Sequence, residues 1–465
     1  MPQSHASALP KACSVSARSN DRVDRGNTSS SSDASLGPGP SDAFSIDSSA
    51  DLPSKHFTPT KGTLIALLLV SMLNCMGGAA VAPALPQISA AFPDAAESIV
   101  ALIISLPSLA VVLSGFFVGA IADKMGKAKT LFASLALFTV AGLAGIVLPT
   151  LETILVSRFV MGLGMAGVAT SSTALIADYY DADQQAKVMG MQSAATGASI
   201  LILEMTGGFL ALLGWRVPFY VYAIGIVMLV FVGLYVREPY RKSADARGIA
   251  EADADSENSA KTAPSAKNTT VKGITAVCAI CFIAVFLNSM VVFLVPSKMP
   301  YLVEMFGGNT ATSGLFLGAF GLANIVSALA YARLIKRFRR FALLGVSFLL
   351  AAAGTLCIGL ASSLWPILVG AVLVNLGVGI IMPLMANWLG QVATPQNSGR
   401  IMGTFAAMLN LGQFFSPLLA GILLAQTDSY GALFIAGAII PAALAVFCFA
   451  ARAVAPGLQN VRARD

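Results

Sequence analysis

Two ionisable residues stand deep inside long apolar segments of the chain, Arg158 and Glu204. A charged side chain at membrane depth is costly, usually faces the interior of a helix bundle, and is a candidate functional group by default. Glu204 supplies what proton transfer needs, a carboxylate that burial drives towards its protonated form. Arg158 could hold an anionic group, or it could be a structural arginine with a permanent partner.

Catalytic and metal-binding chemistry has few candidate residues here. The only two histidines, His5 and His56, lie near the N-terminus, and five of the six cysteines lie in apolar segments. Neither a histidine-based metal site nor a nucleophile–base pair can be assembled from these residues. The sequence therefore predicts a protein that is not an enzyme and that uses no metal and no cofactor.

The composition indicates that membrane-spanning helices position Arg158 and Glu204. The chain of 465 residues is 56% hydrophobic and 11% charged, whereas a soluble domain carries about 25% charged residues. Residues 1–61, 237–272 and 455–465 hold 28 of the 52 charged residues. Each membrane-spanning helix needs about 20 apolar residues. The rest of the chain, which is poor in charge, is therefore long enough for about a dozen membrane-spanning helices. This excludes a soluble enzyme, a nucleic-acid binder and a disulfide-stapled secreted domain.

We predict an all-α membrane protein with twelve transmembrane helices in two bundles. The predicted helices are residues 63–85, 98–121, 131–148, 153–178, 187–213, 217–236, 273–297, 310–334, 341–361, 364–390, 400–425 and 431–453. The predicted domains are a disordered cytoplasmic tail (1–61), an N-terminal six-helix bundle (62–236), a cytoplasmic linker (237–272), a C-terminal six-helix bundle (273–454) and a second cytoplasmic tail (455–465). Lysine and arginine concentrate on one side, which predicts that both termini are cytoplasmic.

The two predicted bundles repeat one another at an offset close to 213 residues. Pro83 matches Pro296, and the sequence beginning at Lys187 matches the one beginning at Arg400. Five such pairs in order indicate a duplicated six-helix unit, which gives two pseudo-symmetric halves. Parallel six-helix repeats with a binding site between them are an established transporter plan.

The loop after predicted helix 2 carries a motif of glycines, an acid and lysines. It contains Gly119, Asp123, Lys124, Gly126 and Lys127. This spacing resembles the loop signature G-x-L-A-D-R-x-G-R-[KR] of the major facilitator superfamily, and the resemblance covers residues 62–454. It implies the major facilitator fold and a gate at the inner side. The acid would then face the positive N-terminal end of helix 11, and the lysines could reach Asp178.

Helices 4 and 5 carry glycines suited to close packing. Arg158, Gly162 and Gly164 resemble the superfamily's R-x-x-x-G-x-G pattern in helix 4, and small residues let a neighbouring helix approach. Antiporters of the superfamily commonly show G-x-x-x-G-P-x-x-G-G in helix 5. Here Glu204 stands at the proline position before Gly207 and Gly208, while Pro417 in helix 11 preserves more of that motif.

Distances along the helices place the two buried charges near the same depth. At 1.5 Å per residue, Arg158 lies about 8 Å and Glu204 about 15 Å from one membrane boundary. We therefore predict that they form an intramembrane ion pair, because leaving either charge alone in an apolar setting costs several kcal/mol. Proton uptake by Glu204 would require this pair to loosen during the transport cycle.

Four asparagines are the polar residues expected at mid-depth: Asn74, Asn288, Asn375 and Asn410. In the superfamily, helices 1, 4, 7 and 10 line a central cavity, so the resemblance implies that three of these asparagines face the substrate. Interhelical hydrogen bonds of about 0.6 kcal/mol explain such residues equally well.

These observations predict a secondary active transporter that works by alternating access. The first interpretation is proton-coupled export of small organic or drug-like compounds, a multidrug antiporter. The alternatives are a proton symporter that imports a sugar or an organic acid, with Arg158 holding the anion, and a receptor or scaffold that no longer transports. We expect a monomer in the plasma membrane, whose partners are its substrate, protons and the lipid bilayer, and not nucleic acid.

Overall fold

The computed structural model describes residues 60–73, 76–180, 182–238, 268–394 and 397–454. Most of the two predicted tails, most of the predicted linker and Asn74 lie outside these described residues. The described chain is helical, and ten of its spans are long and apolar enough to cross a membrane. Two shorter apolar helices, Lys61–Met72 and Leu102–Gly115, occupy the positions predicted for helices 1 and 2.

The helices of the first half are α1a (Lys61–Met72), α1b (Leu85–Ala91), α2 (Leu102–Met125), α3 (Lys127–Ala144), α4 (Leu151–Tyr179), α5 (Ala182–Ala211) and α6 (Ile224–Tyr235). Short helices precede three of these, Ala82–Ala84 before α1b, Glu97–Val100 before α2 and Val217–Ala223 before α6. Those of the second half are α7a (Asn268–Val292), α7b (Leu294–Met305), α8 (Thr310–Arg337), α9 (Arg340–Gly359), α10 (Leu364–Val392), α11 (Ser398–Thr427) and α12 (Tyr430–Val454).

Helix 1, predicted as one continuous helix, is interrupted. Its first part ends at Met72, and helical structure resumes at Ala82. The region contains Gly77 and Gly78, the weakest helix formers after proline, and Pro83 begins the next turn. Tyr222 donates a hydrogen bond of 3.1 Å to the carbonyl oxygen of Met76, which satisfies a backbone group that a continuous helix would have paired itself.

Helix 7 is also divided, at Phe293 between α7a and α7b. Pro296 lies four residues after Val292, and a proline ring clashes with the carbonyl group four residues before it. Helix 7 also runs farther than the sequence predicted, to Met305. Interruptions are tolerated at membrane depth where neighbouring protein covers the freed backbone groups, and Val292, Phe293 and Pro296 all border the central cavity.

The two halves pack alike and meet along two helix pairs. In the first half α4 packs against α2 and α3, and in the second half α10 packs against α8 and α9. Between the halves, α5 packs against α8 and α2 packs against α11. The repeated arrangement agrees with the duplicated six-helix unit that the sequence predicts.

Candidate functional site

A cavity of about 320 Å³ lies between the two halves. Its lining comes from the interrupted part of helix 1 and from α2, α4, α5, α7a, α7b, α8, α10 and α11. Most lining side chains are apolar, such as Pro107, Met165, Phe320 and Met382, and Glu204 is the one ionisable group among the described residues that line it. Mostly apolar walls with a few polar groups are typical of small-molecule sites.

Glu204 is 4% exposed, and its Oε2 atom has no hydrogen-bond partner among the described residues. Its helix, α5, is in backbone contact with α8 one turn farther on. A Cβ atom placed on Gly208 would lie 2.6 Å from the Cα atom of Gly314. One placed on Gly314 would lie 2.7 Å from the carbonyl oxygen of Glu204. The carboxylate is therefore held on a helix whose position is fixed by direct contact with the other half.

Arg158 does not line this cavity. Its guanidinium group is completely buried, donates from Nη2 to the carbonyl oxygen of Gly142 at 2.9 Å, and lies 4.7 Å and 4.9 Å from the ring centroids of Phe219 and Tyr222. These partners stabilise a cation through the electrons of the aromatic faces and a carbonyl dipole. Arg158 is thus enclosed within the first half.

The predicted ion pair between Arg158 and Glu204 is not formed. The two ion pairs within 4.0 Å among the described residues join Lys127 to Asp178 and Lys298 to Glu97. The prediction used depth alone, and depth does not fix the direction in which a helix presents a side chain. The face of α4 that carries Arg158 points to α3 and to the aromatic turn before α6, away from the cavity.

Of the predicted cavity asparagines, Asn375 lines the cavity. Its Nδ2 donates to the carbonyl oxygen of Phe320 at 2.7 Å, and its Oδ1 accepts from Asn324 at 3.4 Å. Asn288 is buried outside the lining, and neither of its side-chain polar atoms has a described partner. Asn410 donates to its own helix, to the carbonyl oxygen of Ala406, and is also absent from the lining.

Sequence reasoning missed a polar contact that crosses the cavity wall between the halves. Ser108 on α2 donates a hydrogen bond of 2.8 Å to Oε1 of Gln413 on α11, and both residues line the cavity. Asn324 was missed as well. A glutamine and an asparagine inside apolar helices were the available signals, because polar groups there need a partner or a ligand.

The predicted gating loop forms a network within the first half. Gly126 has a φ of +99°, a conformation that suits glycine, and makes the turn between α2 and α3. Lys127 Nζ lies 2.7 Å from Asp178 Oδ2. The Glu238 carboxylate accepts the backbone N–H groups of Lys127 at 2.6 Å and Ala128 at 2.9 Å, so it caps the start of α3.

Two further members of the loop motif, Asp123 and Lys124, lie in the last turn of α2, and Lys124 is exposed. Gly119 has no close neighbour, because no heavy atom outside its own helix backbone lies within 4 Å of an added Cβ. We call the end of the molecule that carries residues 119–129 the loop end.

The predicted packing glycines lie at close helix contacts. A Cβ atom added to Gly162 would lie 2.5 Å from the carbonyl oxygen of Pro107. A Cβ atom added to Gly164 would lie 2.7 Å from the backbone nitrogen of Phe138. Gly207 packs against the carbonyl group of Ala80 in the interrupted part of helix 1. Pro417 is buried within α11.

At the opposite end, a cluster of charged and aromatic residues joins the halves. Lys298 donates to Oε2 of Glu97 at 2.8 Å, and Tyr430 donates to Oε1 of Glu97 at 2.6 Å. The hydroxyl groups of Tyr301 and Ser89 are 2.7 Å apart. We call these five residues the latch. Lys298 is completely buried, so this end of the cavity is closed.

The loop end differs from the latch. Added Cβ atoms on Gly190 near the start of α5, and on Gly399 and Gly403 near the start of α11, would have no heavy atom within 4 Å. No other described residue therefore packs against these positions. The described ion pair at this end, Lys127 with Asp178, lies within the first half and does not join the two halves.

Comparisons with known proteins agree with this architecture. A family model described as the Major Facilitator Superfamily matches residues 67–280 and 281–464. The quinolone resistance protein NorA of Staphylococcus aureus (strain MSSA476) is 24% identical over 332 residues, 69% of this chain and 80% of that protein. The class H tetracycline resistance protein of Pasteurella multocida is 22% identical over 395 residues, 83% of this chain and 96% of that protein.

Solved structures with a similar fold are more distant in sequence. A D-xylose-proton symporter superposes with a TM-score of 0.70 at 15% identity, over 83% of this chain and 97% of that one. A bacterial homologue of the human lysosomal transporter Spinster, in an inward-facing and occupied conformation, gives a TM-score of 0.68 at 15% identity. The superposition covers 86% of this chain and 98% of that one. At this identity the likeness concerns the fold alone.

Proposed function

The chain belongs to the Major Facilitator Superfamily, and from that premise we propose that it exports small, largely apolar organic compounds in exchange for protons. Membership of this family makes it a multi-pass membrane transporter and not an enzyme. Two relatives whose names describe resistance to quinolones and tetracycline support drug-like cargo. The proposed membrane is the plasma membrane, with the loop end and both termini on the cytoplasmic side, as the lysine and arginine distribution predicts.

One observation carries the proposal of exchange: Glu204 is the single ionisable residue in the described cavity lining. A bare carboxylate in an apolar cavity is unfavourable, because its charge has lost its hydration. Binding of either a proton or a cargo cation neutralises that charge. If the cavity changes access only when Glu204 is neutralised, the two ligands must alternate, and export of cargo is coupled to entry of a proton.

The site favours singly cationic cargo over anions. An organic-acid symporter needs a cation in the cavity, and Arg158, which was the candidate for that role, is enclosed between α3, α4 and α6. An anion in the cavity would face the Glu204 carboxylate with no described positive group beside it. A non-transporting scaffold would have no use for an apolar cavity between two halves that a latch joins at one end.

The test is transport by purified protein in proteoliposomes with an imposed pH gradient and a fluorescent, singly cationic amphipathic dye as cargo. We expect Glu204→Gln to abolish proton-driven movement and, at a cargo concentration raised to offset the lost contact with the carboxylate, to retain exchange of labelled for unlabelled cargo at equal pH. Glu152→Gln, at an exposed acid in the first turn of α4, is the matched control and should transport normally. Proton-driven transport that survives in Glu204→Gln would exclude this carboxylate as the coupling group.

Loss of both activities together, with a lower melting temperature, would instead assign Glu204 to a structural role. Glu204→Asp separates the two explanations, because it retains a titratable group while shortening the side chain. A coupling role predicts residual proton-driven transport in this variant, and a structural role predicts none above that of Glu204→Gln.

A further inference from the structure

We infer that the cargo is held at two points on opposite sides of the cavity, by Glu204 and by the side-chain amide of Gln413. The inference rests on the proposed function, since it takes the cavity to be the cargo site. The corresponding substrate class is an amphipathic organic amine that carries a hydrogen-bond acceptor, such as a ketone or an ether oxygen, at the end away from its amine.

The two residues belong to the two separate places where the halves meet. Glu204 lies on α5, which packs against α8, and Gln413 lies on α11, which packs against α2. The cavity lies between these helix pairs and is lined by residues of all four helices. A molecule that spans the cavity from one helix pair to the other therefore meets a carboxylate at one side and an amide at the other.

The hydrogen bond from Ser108 orients the Gln413 amide. A glutamine side chain has an acceptor oxygen and a nitrogen with two donor hydrogens. Ser108 occupies the oxygen at 2.8 Å, and no described residue accepts from the nitrogen. The cavity is thus offered N–H donors on this side and carboxylate oxygens on the other, so the complementary cargo has an acceptor at one end and a cation at the other.

The other two amides that line the cavity, those of Asn324 and Asn375, are hydrogen-bonded to each other, and Asn375 has a further partner. Its nitrogen donates to Phe320 O, and its oxygen accepts from Asn324. Both ends of this amide are therefore engaged within the second half. Pro107, Met165 and Met382 also line the cavity, and such apolar walls suit an aromatic or aliphatic middle section of the cargo.

The experiment measures binding of two probes to the full chain purified in detergent. One probe is an aryl-alkyl tertiary amine with a terminal ketone, and the other has a methylene group in place of the ketone. We expect the wild type to bind the ketone five- to tenfold more tightly, and Gln413→Leu to remove this preference without changing the affinity for the methylene probe. Asn410→Leu, one turn away on α11 and outside the lining, should retain the full preference.

Gln413→Glu keeps an acceptor for Ser108 but replaces the N–H donors by a second acceptor, and it should also lose the ketone preference. Equal weakening of both probes by Gln413→Leu, a wild type without preference, or a wild type that binds neither probe would overturn the two-point inference. The two proposals fail separately. Absence of the ketone preference with intact proton-driven export rejects only the inference, and a ketone preference without proton-driven export rejects only the exchange.

Discussion

The two ends of the molecule use their charged residues in different ways. At the latch end the carboxylate of Glu97 belongs to the first half, and its partners Lys298 and Tyr430 belong to the second. At the loop end the ion pair of Lys127 and Asp178 stays inside the first half. The ion pair at the latch end joins the two halves, whereas the ion pair at the loop end lies within one half. The two ends therefore differ in whether their ion pairs can hold the halves together.

The largest effect is expected at the latch, from Glu97→Gln. This change leaves the buried Lys298 ammonium without its counter-ion. Breaking a buried pair costs about 3–5 kcal/mol, but the Glu97 side chain is 34% exposed, so we expect about 2 kcal/mol after allowing for solvent screening. That corresponds to a shift of about thirtyfold towards a separated latch end.

The measurement is the distance between spin labels at Asp94 and Met305, both exposed near the latch, in a background without native cysteines. Glu97→Gln should increase the population with a long distance. Glu304→Gln, which removes an exposed acid of α7b, is the control and should leave the distribution unchanged. An unchanged distribution in Glu97→Gln would mean that the latch does not hold this end closed.

A smaller effect is expected from Asp123→Asn at the loop end. If this end closes in the other half of the cycle, the acid at the end of α2 would face the positive N-terminal end of α11, an interaction worth about 0.3–1 kcal/mol. We therefore expect turnover to fall about two- to fivefold with cargo affinity unchanged. Transport rates and detergent-phase binding measure the two quantities, and an equal loss of binding would argue against a gating role.

The smallest effect is expected from Lys127→Gln. The side chains of Lys127 and Asp178 are 28% and 30% exposed, and an exposed ion pair contributes about 0–1 kcal/mol. Because the pair lies within one half, its loss should leave the latch-end distance distribution unchanged and alter turnover less than twofold. A larger fall than in Asp123→Asn would show that this pair also acts between the halves.

Helix positions and repeats were predictable because long apolar runs determine them. The twelve helices lie within a few residues of their predicted positions, apart from the interruptions in helices 1 and 7 and the extension of helix 7 to Met305. The contact of Lys127 with Asp178 was also accessible, since both stand at helix ends on the same side.

Side-chain direction could not be predicted in the same way. A helix that is apolar all round has no polar face to mark its orientation, so α4 gave no sign that Arg158 points to Phe219 and Tyr222. For the same reason Gln413 was overlooked and Asn288 was placed in the cavity.

The interruption of helix 1 has a consequence for how the chain is assembled during synthesis. The twelve residues of α1a extend about 18 Å, whereas the hydrocarbon core of a bilayer is about 30 Å thick. In the backbone beyond α1a, the carbonyl oxygen of Met76 accepts a hydrogen bond from the hydroxyl group of Tyr222, which lies 146 residues farther along the chain. Exposed backbone groups are not tolerated in lipid. The first membrane segment therefore reaches its final form only after the segment that leads into α6 has been made.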